Sequence, residues 1–224
     1  MSQAARRLTK ADLHLPCKRQ AVYLLGKILA RRLDDGSVLR GRIVEDECYL
    51  GGEDKASHSY NGRQTAGNEP MYMPAGTTYV YFIYGMYCCF NISSLEPGAA
   101  VLLRALEPIQ GQEQMGKLRA AKQKSPLKSP LKEKDLCNGP SKLCMSFNIT
   151  KNNCNKIDLT ESEVLWLEDD GFEVEKKDIV TCKRVGIGSA GEEWVGKPLR
   201  FYVLGNPHVS KRDKKTEKKM SESD

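Results

Sequence analysis

Apolar positions along the chain change period several times, and each change marks an element. After Pro16, the residues Ala21, Val22, Leu24, Leu25, Ile28 and Leu29 form a stripe at helical spacing. This predicts a helix that begins at Pro16 and ends before a turn at Asp34-Asp35-Gly36. Period two takes over from residue 37 to 50. There Ile43, Glu45, Glu47 and Tyr49 fall on one face of a strand, and Arg42, Val44, Asp46 and Cys48 on the other. Runs rich in β-branched and aromatic residues predict further strands at 78–84, 86–93 and 99–106. The first two runs meet at Tyr84-Gly85, which reads as a β-hairpin whose turn uses the conformational freedom of Gly85. Helical pattern follows Pro108, another helix start lies at Asn138 to Lys142, and a last strand spans Leu199 to Val203. The outline is α+β: one mixed domain over residues 1–210, with a mostly antiparallel curved sheet flanked by helices. Residues 211–224 carry no apolar period and are expected to be a disordered, basic tail.

Composition narrows this picture only modestly. With 224 residues the chain can bury an ordinary core without cross-links. Its eight cysteines include no Cys-x-x-Cys pair, and no short His spacing completes a zinc site, so reduced thiols and no metal are expected. The first residues lack an apolar signal region, and no stretch approaches the length of a membrane span. A net charge of +6, from 35 Lys plus Arg against 29 Asp plus Glu, favours a polyanionic partner weakly. Much of the excess sits in Lys211 to Lys219, which reads as a nuclear-import signal, a phosphate contact or a solvated end. The repeat spanning Lys124 to Lys132 is a proline-rich surface loop with no assigned chemistry. The Gly-rich run Arg184 to Gly191 lacks the lysine or acidic partner of a nucleotide-binding loop.

Chemistry concentrates in two places. Residues 77–94 hold six of the sixteen aromatic side chains, and Tyr84 sits at the predicted hairpin tip, where an exposed ring calls for something to insert against. Stacked bases are the partner that suits a basic protein. On the neighbouring strand, Glu47 stands beside Tyr49, and His58 follows in a polar loop with Arg63. Hydrolysis of an N-glycosidic bond passes through an oxocarbenium-like state, so it needs a carboxylate to deprotonate water and face the developing charge. The base must first leave the duplex, and an extruded base is held by aromatic stacking and by hydrogen bonds to its edge.

The segments Gly41 to Leu50, Ser57 to Ser59, Gly62 to Thr65, Tyr79 to Tyr87, Asn91 to Ser94, Val101 to Pro108, Gly139 to Leu143 and Lys197 to Val203 closely resemble the alkyladenine DNA glycosylase (3-methyladenine or N-methylpurine DNA glycosylase) family. The resemblance runs in order from about residue 8 to 210. It implies a monomer with a positively charged face and a protruding hairpin, without metal or organic cofactor. It further implies action on double-stranded DNA that contains damaged purines, and a nuclear location. By the same matching, Glu47 activates water, while Tyr49, Tyr81 and His58 hold the base and Asn91 crowds a purine 2-amino group. Tyr84 fills the vacated gap, Met86 packs beside it, Arg104 holds a displaced phosphate, and Arg63 and Lys142 are weaker phosphate candidates. An Arg buried with a carboxylate is the competing reading of Arg104. Cys48 stands where the family has a small apolar residue, and Cys88 and Cys89 replace part of an aromatic-rich strand, which bears on substrate range. No lysine matches an imine-forming nucleophile, so a monofunctional glycosylase is expected. A stacking module without enzymatic activity and a small-molecule nucleoside hydrolase stay open as other classes.

Overall fold

The computed structural model describes residues 5–83, 85–122 and 129–222. After the short strand β1 (Arg6–Arg7) come α1 (Lys10–Leu13) and α2 (Cys17–Leu24), and here the first helical stripe stops early. Gly26 adopts φ +86°, and the chain turns into β2 (Ile28–Arg32), so Ile28 and Leu29 are strand residues rather than helical ones. The cause is a tertiary partner: Gly26 N–H donates to Ile43 O at 2.9 Å, and Ile43 N–H donates to Lys27 O at 2.8 Å. A short apolar run suits either period, and the available sheet edge decides.

The long strand β3 (Val38–Tyr49) organises the rest. Then follow β4 (Thr78–Ile83), β5 (Tyr87–Ser93), β6 (Ala100–Gln110), α3 (Gln112–Ala121), α4 (Pro140–Ser146), α5 (Lys151–Cys154), β7 (Leu165–Asp169), β8 (Ile179–Cys182), α6 (Glu192–Gly196) and β9 (Arg200–Val203). The strand order is β1-β7-β2-β3-β6-β5-β4, with β9 beside the second half of β3 and β8 beside β9; all pairings are antiparallel. The fold is thus a single α+β domain built on an open, curved nine-stranded sheet, as the pattern predicts. The helix expected after Pro108 begins only at Gln112, because Pro108 still pairs with Gly41 in the sheet. Met86 N–H donates to Ile83 O at 3.3 Å and Gly85 has φ +70°, which closes the β4–β5 hairpin. Tyr84 itself lies outside the described residues, as do 123–128 of the proline-rich repeat.

Strict alternation along β3 fails in its middle. The β3–β6 register shifts on both sides of Glu45, so Ile43 joins Cys48 in the main core while Val44 packs with Ala105 and Tyr202. A bulge adds a residue, and parity counted from the sequence does not see it. Ile43 therefore does not share a face with Glu45, Glu47 and Tyr49. Downstream of the bulge the faces separate cleanly. One face meets α2, α3 and α4 in a core containing Leu24, Ile43, Met115, Phe90 and Phe147. Across the other face runs a row of direct cross-strand partners: Arg200, Glu47, Leu102, Asn91 and Tyr79. With strands about 4.8 Å apart, Glu47 and Tyr79 are about 14 Å apart along the sheet, close enough for one site.

The tail departs from expectation as well. Residues 214–221 form α7 (Lys214–Ser221), capped by Asp213, in place of a disordered end. An isolated helix of eight residues is unstable in water, so its order comes from docking. The anchors are Arg212 and Tyr202, which bind Glu217 at 2.8 and 2.9 Å. No helix among the described residues is long and apolar enough to cross a membrane. All eight cysteines are free and buried.

Candidate active site

A cavity of about 340 Å³ opens on the face that carries the cross-strand row. Tyr79 and Tyr81, two apart on β4, point to the same side, and Asn91 sits directly opposite Tyr79 on β5. Their rings lie 5.2 Å apart, tilted by 30°. Asn91 is fixed by donating from Nδ2 to Tyr79 O at 3.0 Å. His58 enters from the loop after β3 and meets Tyr81 edge-on, with ring centroids 4.6 Å apart. Its Nδ1 is 2.8 Å from the Tyr79 hydroxyl. The loop is held in turn by Asn68, which donates to His58 O and Arg63 O. His58 keeps an exposed edge, yet its burial against these rings, reinforced by the nearby Arg63 cation, pulls its pKa down. Burial pushes the Tyr79 phenol up to about 12. A neutral phenol facing a neutral imidazole assigns the hydroxyl as donor to Nδ1 and leaves the proton on Nε2, a donor available to a ligand.

Beneath this cavity lies an acid cluster. Glu45, Asp46 and Glu47 are all fully buried. Glu47 accepts from Val185 N–H at 2.7 Å and from the Tyr49 hydroxyl at 3.1 Å, and Arg104 NH1 lies 3.2 Å away. Burial raises the Glu47 pKa, while Arg104, the Val185 amide and Tyr49 oppose that rise. Glu45 accepts from Arg104 Nε and from Arg200, both at 2.9 Å, and from Ser210 N–H at 2.6 Å. Asp46, on the core side of the bulge, has no partner for either carboxylate oxygen. Burial pushes its pKa well up, and Cys17, Glu45 and Glu47 add to the effect, so it is held as a neutral acid. Arg184 forms a fully buried fork with Asp54 at 2.6 and 2.8 Å and places its guanidinium 4.8 Å from the Tyr49 ring centre. This pair ties the His58 loop, the end of β3 and the Gly-rich 184–191 loop together. A polar carboxylate that communicates through one phenol with an aromatic, neutral cavity is equipped for general-base chemistry on a planar, stacked ligand.

A family model described as methylpurine-DNA glycosylase matches residues 11–207. The chain belongs to this family. It is 53% identical over 202 residues to a human DNA-3-methyladenine glycosylase, covering 90% of this chain and 67% of that protein. Against the mouse enzyme of the same name the identity is 51% over 203 residues, covering 90% of this chain and 60% of that protein. A probable DNA-3-methyladenine glycosylase of Encephalitozoon cuniculi is 50% identical over 199 residues, covering 89% and 90%. The chain therefore spans about two thirds of the human relative and less of the mouse one, but most of the microsporidian one.

In this methylpurine-DNA glycosylase family member, Tyr49, His58, Tyr81 and Asn91 come together around one cavity. Glu47 does not line it; its carboxylate lies behind Tyr49 and beside Val185, the neighbour of the lining residue Gly186. Arg63 faces an adjoining cleft of about 570 Å³ that shares His58, Tyr79 and Tyr81 and also draws in Lys55 and Lys151. Met86 is 54% exposed beside the exposed Phe82 and Tyr87, an apolar end to the hairpin. Lys142 lies outside both cavities, with Nζ 2.7 Å from Asn138 Oδ1. Arg104 is engaged elsewhere than the sequence reading expects. It is 6% exposed and contacts Glu45, Glu47 and Ser210, which places it in the acid cluster in the free protein, the arrangement of the competing reading of this arginine. Sequence reasoning passed over Tyr79, Arg184, Asp54 and the 186–190 loop. Tyr79 had a usable signal, its spacing of two from Tyr81; the loop joins the site through long-range contacts, the Arg184–Asp54 pair and the Val185 amide on Glu47.

Proposed function

We propose that the protein extrudes damaged purines from duplex DNA and hydrolyses their N-glycosidic bond, leaving an abasic site in base excision repair. The reading is carried by one observation: a buried, cation-flanked glutamate and an aromatic cavity share a sheet face and are joined by the Tyr49 hydroxyl. The names of the relatives, which specify 3-methyladenine, support it for this chain. The base stacks against Tyr49 and Tyr81, and His58 Nε2–H donates to its edge. Tyr79 fixes the imidazole tautomer that makes this possible. Asn91 crowds a purine 2-amino group and disfavours guanine. Glu47 deprotonates the attacking water and faces the oxocarbenium-like charge. Because it is closed off in the free protein, water reaches it when the sugar enters and the Tyr49 hydroxyl or the 185–187 loop yields; such contacts tighten only in the complex.

Around the pocket, Tyr84 fills the gap left by the base, with Met86 and Phe82 as the apolar flanks of the wedge. Arg63, Lys55 and Lys151 meet phosphates, and Lys142 is a more distant contact. Substrates are alkylated or deaminated purines: 3-methyladenine, 7-methylguanine, hypoxanthine and ethenoadenine. The first two leave as cationic bases, whereas the neutral ones need protonation. The protein acts as a monomer in the nucleus and does not cut the strand. Lys55 lines the cavity, and borohydride trapping should leave no covalent adduct through it.

Duplexes carrying one lesion each, incubated with the protein and then treated with hot alkali, test the reading. Breaks at the lesion are expected. Binding without breaks would make the protein a stacking module, and hydrolysis of free nucleosides with salt-insensitive binding would make it a small-molecule hydrolase.

A further inference from the structure

The family match ends at residue 207, yet the chain re-enters the acid cluster three residues later. Ser210 N–H donates to Glu45 Oε2 at 2.6 Å, and Arg104 NH2 donates to Ser210 Oγ at 3.2 Å. Arg200 NH1 donates to Lys211 O at 2.5 Å. One short stretch thus serves Glu45 and both arginines bound to it, of which Arg104 also contacts Glu47. The stretch is in turn pinned from beyond. Asp213 N–H donates to the Tyr202 hydroxyl at 2.8 Å, and that hydroxyl donates to Glu217 of α7 at 2.9 Å. Tyr202 is completely buried and sits directly across from Glu45 in the sheet. Val209 and Met220 pack with Val44 and Ala105, so the docked tail also covers the bulge.

We propose that residues 210–217 act as a latch that holds Arg104 on Glu47, with Ser210 as a positioning residue for the water-activating carboxylate. The inference rests on the reading of Glu47 given above. Arg104 divides its guanidinium among Glu45, Glu47 and Ser210. Truncating the Ser210 side chain removes the hydroxyl that accepts from Arg104 NH2, while the backbone N–H of residue 210 still donates to Glu45; the guanidinium is then held at two points in place of three, and its contact with Glu47 loosens. Undocking of α7 would do the same from a distance and would open the cluster to water.

The test is single-turnover excision of hypoxanthine from duplex DNA across pH, with binding to a duplex that holds a tetrahydrofuran abasic analogue measured in parallel. Ser210→Ala and Tyr202→Phe should each slow excision roughly fivefold below neutral pH, the scale of one hydrogen bond in a charged network. Their acid limb should move to higher pH, since Arg104 is the foremost of the contacts that oppose the burial-driven rise of the Glu47 pKa. Affinity for the analogue should stay within about twofold, and Ser210→Thr, which keeps the hydroxyl, should restore the parent profile. Variants that excise with the parent pH profile would overturn the latch. So would a uniform loss of rate that only tracks a lowered Tm. If the parent protein itself releases no base, the reading of Glu47 fails instead, which is a separate result.

Discussion

Arg104→Met separates two accounts of the same arginine. If Arg104 belongs to the acid cluster, the substitution removes a cation 2.9 Å from Glu45 and 3.2 Å from Glu47. At an effective dielectric near 20, each such contact is worth about 5 kcal/mol before desolvation is subtracted. Glu45 retains Arg200 and the Ser210 amide, whereas Glu47 keeps only the Val185 amide and the Tyr49 hydroxyl. Leaving one buried carboxylate uncompensated costs about 3 to 5 kcal/mol. The loss has a pH signature. Without Arg104 the Glu47 pKa, already raised by burial, climbs further. A native carboxyl that holds its proton more tightly than the unfolded one loses stability as pH rises from about 4.3 towards its folded pKa. Urea denaturation at pH 5 and pH 8 should therefore show the larger deficit at pH 8, and the acid limb of excision should move upward. A surface phosphate contact predicts the reverse pattern: unchanged stability and a salt slope for DNA binding reduced by about one. A deficit below about 1 kcal/mol at pH 8, together with that reduced slope, would refute the acid-cluster assignment.

Other consequences follow from the same geometry. Asp46→Val should stabilise the protein at pH 7 by about 1 to 3 kcal/mol, since both carboxylate oxygens are unpartnered. It should also flatten the decline of stability above pH 4 that a carboxyl with a raised native pKa imposes; urea curves over pH read both. Tyr79→Phe should weaken lesion binding roughly threefold to tenfold by freeing the His58 tautomer, with the saturating single-turnover rate nearly unchanged. Asn91→Ser should raise release of guanine from undamaged duplex, measured as alkali-labile breaks, if Asn91 guards the 2-amino position.

Much of the sheet was legible because its signals are local. Alternation between glycine and proline breaks located β3, β4, β5, β6 and β9 to within a few residues. The failures share a cause: the deciding interaction was distant. Ile28 and Leu29 became strand because Ile43 offered hydrogen bonds, and the parity of β3 broke because β6 imposed a bulge at Glu45. Residues 214–221 became helical because Tyr202 and Arg212 hold Glu217. For the site, Tyr49, His58, Tyr81 and Asn91 were named from their motifs and do meet around one cavity. Arg104 was assigned to a phosphate by the family resemblance, with burial beside a carboxylate as the competing reading, and in the free protein it is paired with Glu45 and Glu47. Nothing local marks Arg184 and Asp54 as partners across 130 residues, so the 184–191 loop gave no hint that it walls the cavity.

Glu47 is the residue on which base release depends most directly. Glu47→Gln keeps the shape and removes the base, so the substitution should leave binding to hypoxanthine-containing duplex within a few fold of the parent. Single-turnover base release should fall by at least about 100-fold, the usual contribution of a positioned general base. Base release by this variant at near the parent rate would contradict the assignment directly.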